Sequence, residues 1–509
     1  FNIEKNDIKI FTLIVFTILI IMSFLIKLII ILVNSYLNQE VAFYIHNKVV
    51  KKIINQNYKY FINSNTSNIL GTIEKVEAVR NVVFSLLLLL MSSIMSLSII
   101  ILVFTVDFTN SLILFVFLGI VYFLMYLLTH KKLNEISFLQ AKVINKKYSL
   151  FLELSQNIKE IILRNLDNFI FKKQFNVILS LRNSRIKEER LTHIATQTTV
   201  LMISLLVILV LFYFVIFNKN LTSNAPLIVF YIFALQRLNP HIQNAYVSLM
   251  SGIKLLQYSI QDVLKILDLP DERTIIRKKY QEKILHIKNQ ISVSNLQFSH
   301  DENSPNLFVG SNLNFEVGKI YGLTGASGVG KTTFLDIFMG LLKTCEGDFY
   351  LDKKKIDIFN NPNWQNLISY VSQNAVLTDG TFLENICFGE DLNKIDKLFL
   401  EDCAKKAECL DFIKKRIGSF QAEIGEGGSK ISGGQRQRIL LARALFSKKT
   451  ILILDEATNA IDKATENKIF KNLEAIKQDK IIIVISHNNE IKKNFDCIYK
   501  FENKKIIQD

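Results

Sequence analysis

The sequence predicts two unlike parts: an all-α polytopic membrane domain over residues 1–255 and an α/β phosphate-loop domain over 291–509, with a linker over 256–290. Three observations carry this. Half of the 509 residues are apolar, and the first of only five prolines is Pro226, so the first 225 residues can run as long uninterrupted helices. The basic excess is lopsided: residues 1–250 hold 24 Lys and Arg against 12 Asp and Glu, the remainder 37 against 34. A glycine-rich loop, Gly325–Thr333, stands between a strand-like and a helix-like segment.

Composition sets the outer limits. So much apolar surface excludes a disordered chain. Charge concentrated in the apolar half points to membrane topology and away from nucleic acid. The five cysteines (345, 387, 403, 409 and 497) form no CxxC pair and no zinc-ligand cluster, so they read as free thiols in a reducing compartment.

Four apolar runs approach or exceed the length needed for about 30 Å of hydrocarbon: Ile10–Val33, Val82–Val106, Ser111–Leu128 and Thr199–Phe217. A fifth span is expected at Pro226 to about Gly252, although it carries Arg237, Pro240 and His241. Lys27 lies near one end of its run and can snorkel. The segment Asn34–Asn81 holds six basic residues and Thr129–Thr198 holds thirteen, whereas the short loops Asp107–Asn110 and Asn218–Ala225 hold none and one. The long basic loops are therefore expected on the cytoplasmic side. Both show helical periodicity, as in Ile158, Ile161, Ile162 and Leu166, so the spans should continue as long helices that turn back. Loop parity then places Phe1 outside, and with a start on Phe it predicts one further span upstream; a genuine outside N-terminus is the alternative.

Past the polar stretch Leu269–Arg273 the text becomes mixed. Ile320–Thr324 reads as a strand, followed by Gly325-Ala326-Ser327-Gly328-Val329-Gly330-Lys331-Thr332-Thr333 and a helix. This is a complete phosphate loop: glycines let backbone N–H groups face phosphate oxygens, and the helix N-terminus adds positive potential. Lys331 should bridge the β- and γ-phosphates of a nucleotide, and Thr332 should ligate Mg²⁺. Ile451–Leu454 is an apolar, buried strand that ends in Asp455 and Glu456. Two carboxylates at a buried tip are costly unless a metal and a water occupy it. Asp455 is expected on Mg²⁺ and Glu456 on the attacking water.

Ile431-Ser432-Gly433-Gly434-Gln435-Arg436-Gln437-Arg438 opens another helix with an anion-binding end, at Ser432, Gly434 and Gln435. This stretch resembles the signature of ATP-binding cassette (ABC) transporters, and the order of spans, basic helices and cassette resembles an exporter half-molecule. The resemblance implies further roles. Gln373 in Tyr370–Gln373 would contact Mg²⁺ and the membrane domain. Asn459–Asp462 would be the D-loop, and His487 would touch the γ-phosphate. Glu423–Glu426 would meet the cytoplasmic helices. Two departures stand out: Ile431 replaces the usual Leu, and Phe298-Ser299-His300 replaces the tyrosine that stacks on adenine. His300 either stacks in its place or is a loop residue.

One signature and one phosphate loop cannot close a site in the family, so the resemblance implies a homodimer, or a pair with a closely related half-transporter. ATP would clamp the cassettes, and the segments around Asn57–Thr72 and Leu152–Asn168 would carry the motion to the spans. Ala234–Pro240 resembles inner-membrane exporters that flip lipid-linked oligosaccharides, with the cassette on the cytoplasmic side. Arg237 lies eleven residues past Pro226, about 16 Å along a helix and so near mid-membrane. There it either meets a lipid diphosphate or holds the bundle together. A drug, peptide or lipid exporter and an ATP-gated channel remain alternative readings; the spans exclude a soluble cassette ATPase of DNA repair or translation.

Overall fold

The computed structural model describes residues 5–106, 108–217, 221–254, 256–280, 285–299, 305–373, 376–486 and 489–509. His300 and His487 lie outside these residues. The chain divides into two compact units, Phe1–Gln56 with Phe61–Pro270, and Asn57–Tyr60 with Asp271–Asp509.

The first unit is helical: α1 (Lys5–Ile54), α2 (Tyr58–Asn63, whose first residues belong to the second unit), α3 (Thr66–Val106), α4 (Phe108–Gln156), α5 (Ile158–Leu163), α6 (Asp167–Phe217), α7 (Leu221–Val247), a π-helical stretch Ser248–Lys254, and α8 (Gln257–Leu267). The absence of proline before Pro226 shows directly. Helix α6 runs for 51 residues, about 77 Å at the helical rise, more than twice a hydrocarbon thickness. Spans and basic loops are thus single helices, with the short α2 and α5 at the turns.

Among the described residues, four helices are long and apolar enough to cross a membrane: Leu13–Ile54, Thr66–Val106, Phe115–Gln156 and Asp167–Leu209. Five spans were expected. The fifth does form a helix, α7, but it falls outside this set. Gln236-Arg237 and Asn239-Pro240-His241 dilute its apolar content over its second half. Helix α7 nevertheless packs on α3 and α6, with Tyr231, Leu235 and Leu238 buried against Val103, Leu118, Ile203 and Leu206. Ser111 joins that core through its hydroxyl, 3.3 Å from the Tyr231 hydroxyl.

The segment that leaves α7 is fastened to the basic ends of the other helices. Gly252, in the π-helical stretch, faces α3 so closely that an added Cβ would lie 1.9 Å from Ser85 Oγ. Val263 and Ile266 of α8 bury against Val49, Ile53 and Val76. Lys75, with no exposed side-chain surface, donates to Asp262 Oδ2 at 2.7 Å and to Asn145 Oδ1 at 2.9 Å. Lys52 and Gln56 donate to the carbonyls of Leu269 and Pro270 at 2.7 and 2.9 Å. The first unit therefore extends through α8 to Pro270.

The second unit begins with α9 (Glu272–Lys279) and contains two sheets. Its strands are β1 (Gln290–Phe298), β2 (Leu307–Glu316), β3 (Lys319–Gly325), β4 (Glu346–Leu351), β5 (Lys354–Ile356), β6 (Ile368–Val371), β7 (Ile451–Asp455), β8 (Ile481–Ile485), β9 (Cys497–Glu502) and β10 (Lys505–Gln508). The antiparallel sheet runs β2-β1-β4-β5. The other runs β10-β9-β3-β8-β7-β6, with β9, β3, β8, β7 and β6 parallel and β10 an antiparallel edge. Strands β7 and β8 are buried at every position, which is why they read as unbroken apolar runs. The carboxyl ends of β3, β6 and β7 present the phosphate loop, Gln373 and the Asp455–Glu456 pair along one edge, where ligands bind in open parallel sheets.

Candidate functional site

The loop after β3 forms as its glycines require. Gly325, Gly328 and Gly330 all have positive φ, at 148°, 82° and 104°. At Gly325 a Cβ would lie 2.7 Å from the Phe501 carbonyl, so only glycine fits. Helix α10 (Lys331–Phe338) begins directly after Gly330. Ala326 and Ser327 are exposed at the loop tip, as is Thr332 on the first turn of α10, while Val329 and Thr333 are partly covered. Lys331 is buried, and its ammonium donates to the Gly325 and Ala326 carbonyls, both at 2.9 Å. Burial pulls its pKa below the usual lysine value, and the charges of Glu456 and Asp455 partly offset that.

Both carboxylates at the β7 tip have defined partners. Asp455 is 3% exposed and accepts from the Tyr370 hydroxyl at 3.1 Å. Burial and the charge of Glu456 raise its pKa, against Tyr370 and Lys331, which lower it. Glu456 adopts a left-handed backbone, φ 51°, which a non-glycine residue takes only when its surroundings enforce it. Its Oε2 accepts from Gln373 Nε2 at 2.6 Å and from Asn459 Nδ2 at 2.8 Å. Gln437 Nε2 reaches the Glu456 carbonyl at 3.4 Å, and Gln437 Oε1 accepts from Ala460 N–H at 2.9 Å. The helix Gly433–Phe446 is thereby tied to the Asn459–Asp462 loop.

That helix opens with a reciprocal cap. Ser432 Oγ accepts from Gln435 N–H at 3.2 Å, and Gln435 Oε1 accepts from Ser432 N–H at 3.1 Å. Gly434 has no room for a side chain, since a Cβ would sit 2.6 Å from the Ala460 carbonyl. Of Glu423–Glu426, Ile424 is fully buried, and Glu423 pairs with Lys430 at 3.6 Å.

The structure thus brings Gln373, Glu456 and Asp455 together beside Lys331. Ser432, Gly434 and Gln435 head a separate helix. Of the residues the sequence reading missed, Asp336 lies on α10, and burial, then the charge of Asp455, pushes its pKa up to about 6. Tyr58, which the second unit takes from the first basic loop, is within electrostatic reach of Asp336. A polar residue five positions past Lys331 was a visible but unspecific signal.

The oxygens of Thr332, Asp455 and Gln373 are hard donors of the kind Mg²⁺ selects, and Gln373 engages Glu456 through its nitrogen, which leaves Oε1 to act as a ligand. Loop, lysine, carboxylates and capped second helix are groups that could hold nucleotide phosphates.

Sequence comparison agrees with that geometry. Residues 308–459 match the ABC transporter family, and residues 2–240 match the ABC transporter transmembrane region. The chain belongs to the ABC transporters. It is 33% identical over 246 residues to the ATP-dependent lipid A-core flippase of Saccharophagus degradans, covering 48% of this chain and 41% of that protein. It is 32% identical over 289 residues to the alpha-hemolysin translocation ATP-binding protein HlyB of Proteus vulgaris, covering 56% and 39%. These matches span about two-fifths of each relative's length. A bacterial Atm1-family ABC exporter with ATP bound shares the fold, with TM-score 0.77 at 17% identity, over 93% of this chain and 82% of that one. This ABC transporter chain accordingly combines a helical membrane region with an α/β nucleotide-binding domain.

In the membrane unit, Arg237 is exposed on α7 and lines a cleft of about 320 Å³. Ser98, Ile99 and Leu102 of α3 and Phe230 and Phe233 of α7 form its walls. His241, one turn further on, is within electrostatic reach of both Arg237 and Lys27 of α1.

Proposed function

We propose that this chain is one half of a dimeric, ATP-driven exporter of the inner membrane that flips an anionic amphiphile, a lipid-linked saccharide, with its cassette in the cytoplasm. The observation that carries the ATPase reading is Glu456, held at 2.6 and 2.8 Å by Gln373 and Asn459 directly beside Asp455. A carboxylate so oriented can take a proton from an attacking water while the neighbouring carboxylate holds the metal. Lys331 would leave the loop carbonyls for the β- and γ-phosphates. Thr332, Asp455 and Gln373 would hold Mg²⁺, which when bound neutralises charge developing on the phosphates. Ser432, Gly434 and Gln435 would cap the γ-phosphate of ATP held by the other copy, His487 would touch the γ-phosphate of ATP held by its own cassette, and His300 would lie against adenine. The partner is a second copy or a closely related half-transporter.

Changing Glu456→Gln keeps shape and hydrogen bonding but removes the base. The variant should bind ATP and lose turnover by about 100-fold or more. Hydrolysis sustained near the wild-type rate would refute the role of Glu456.

The substrate reading rests on Arg237. A guanidinium in lipid is costly, and one lining an apolar cleft, with His241 in electrostatic reach of it and of Lys27, offers an anionic headgroup its charge and an acyl chain its walls. Stimulation of ATPase activity by lipid-linked sugars, compared with a panel of drugs and peptides, tests this directly. Stimulation by the drugs or peptides alone would favour the exporter alternative. Flux down a gradient without ATP turnover, in vesicles, would favour a channel.

A further inference from the structure

The hydroxyl of Tyr370 has no part in the reading above, yet it is bonded to the most buried carboxylate of the site. Strands β6 and β7 are parallel, with Tyr370 opposite Ile453. Residues two apart share a face of a strand, so Asp455 stands on the same face as Ile453 and Tyr370, one step nearer the strand tip. The tyrosine is long enough to cover that step, and its hydroxyl lies 3.1 Å from Asp455 Oδ2. A phenylalanine there could pack equally well on the sheet but could not make this bond. Register therefore selects the residue that meets Asp455.

Two features make the bond directional. An ionised carboxylate has no proton to give, so in this bond the Tyr370 hydroxyl donates and Asp455 Oδ2 accepts. Among the described residues, Tyr370 is the hydrogen-bond partner of the Asp455 side chain, and the bond engages Oδ2 alone. Gln373, three residues along the same segment, meanwhile engages Glu456. One short stretch of β6 and its following turn thus touches both carboxylates, through different side chains.

We propose that Tyr370 is a positioning residue: its hydroxyl fixes the side-chain rotamer of Asp455 and so presents Oδ1 as the oxygen offered to the divalent cation. This rests on the reading of the edge as a metal–nucleotide site. Outer-shell partners of this kind orient the ligand, and losing one typically lowers metal affinity by about 10- to 100-fold. Because the cation would meet Oδ1 while the hydroxyl holds Oδ2, the effect should fall on metal affinity and leave the contacts of the nucleotide itself unchanged.

The test uses the full chain in lipid nanodiscs, with Mn²⁺ as the spectroscopic cation. Mn²⁺ affinity in the presence of ADP is read by electron paramagnetic resonance, and ADP affinity is read separately in metal-free buffer. For Tyr370→Phe the expected result is Mn²⁺ binding weakened about 10-fold with metal-free ADP affinity unchanged, which also shows that the cassette is folded. Tyr280→Phe, which removes a tyrosine–aspartate hydrogen bond of the same kind (to Asp357 Oδ2 at 2.9 Å) at residues with no part in the proposed site, serves as a control with expected wild-type Mn²⁺ affinity. Mn²⁺ affinity in Tyr370→Phe within twofold of wild type would overturn the proposal while leaving the nucleotide site standing. Parallel loss of metal-free ADP affinity would also overturn it, as a general structural role. Wild-type protein that binds ADP but no Mn²⁺ would overturn both the proposal and the metal-site reading beneath it.

Discussion

The buried pair between α3 and α8 makes an asymmetric prediction. Lys75 has no exposed side-chain surface, while Asp262 retains 28% and a second cation, Lys265, at 3.2 Å. Asp262→Asn leaves a fully buried ammonium facing only neutral oxygens, a loss in the range of about 3–5 kcal/mol. Lys75→Met leaves a carboxylate that still has water and Lys265, so the loss is about 1.5–3 kcal/mol, the value of a single charged hydrogen bond. Removing both charges in Lys75→Met with Asp262→Asn should recover most of the larger loss, because no buried charge then lacks a counter-ion. The assay is the thermal midpoint of helix loss in detergent, for the full chain, across a double-mutant cycle. The expected order of stability is wild type, then the double and Lys75→Met variants, with Asp262→Asn least stable. The acid limb supplies a second check. Burial alone would raise the Asp262 pKa, but the hydrogen bond and charge of Lys75, followed by those of Lys265, outweigh it and hold the carboxyl below its ordinary range. A depressed carboxylate adds stability above its unfolded value, about 4, and loses it as pH falls through the lower folded value. The difference between wild type and Asp262→Asn should therefore hold from pH 5 to 8 and shrink only below about 4. Equal losses from the two single substitutions, or a difference that vanishes by pH 6, would refute the reasoning.

Two further expectations concern the membrane unit. Gly252→Ala would place a Cβ 1.9 Å from Ser85 Oγ and 2.3 Å from Ser85 Cβ, overpacking worth about 1–3 kcal/mol; Ser85→Gly in the same chain should restore the thermal midpoint, since the next contact, Ser85 Cα, is 3.7 Å away. Arg237→Ala should raise the concentration of lipid-linked sugar that half-stimulates ATPase activity roughly 10-fold or more, the worth of a charge-assisted hydrogen bond, and leave unstimulated turnover unchanged. An unaltered dose–response curve would assign Arg237 to the packing of the bundle.

How far the sequence reaches depends on how local the cause is. Proline-free apolar runs, their basic flanks and the phosphate loop were legible because each is set within a window of some ten to twenty residues. Backbone conformation there follows from residue type: glycine where φ must be positive, an apolar run where a strand is covered on both faces. The fifth expected span, α7, was less legible for a related reason. Arg237, Pro240 and His241 are tolerated because α7 is packed on α3 and α6, and an apolar count along one helix does not contain that packing.

The site itself divides along the same line. The order strand, loop, lysine and the paired carboxylates Asp455 and Glu456 stood in the sequence, because their chemistry depends on neighbours in the chain. Gln373 was placed only through family resemblance, and its hydrogen bond to Glu456, 83 residues away, is a product of sheet order. Tyr370 meets Asp455 across 85 residues because β6 and β7 pair in one register; a shift of one residue would turn that side chain to the opposite face. Lys75 and Asp262, 187 residues apart, meet because α8 turns back onto α3. The sequence by itself determined which elements form and what chemistry they carry. Only the tertiary structure decided which side chains share a hydrogen bond, since strand register and helix packing are summed over contacts that no single segment contains.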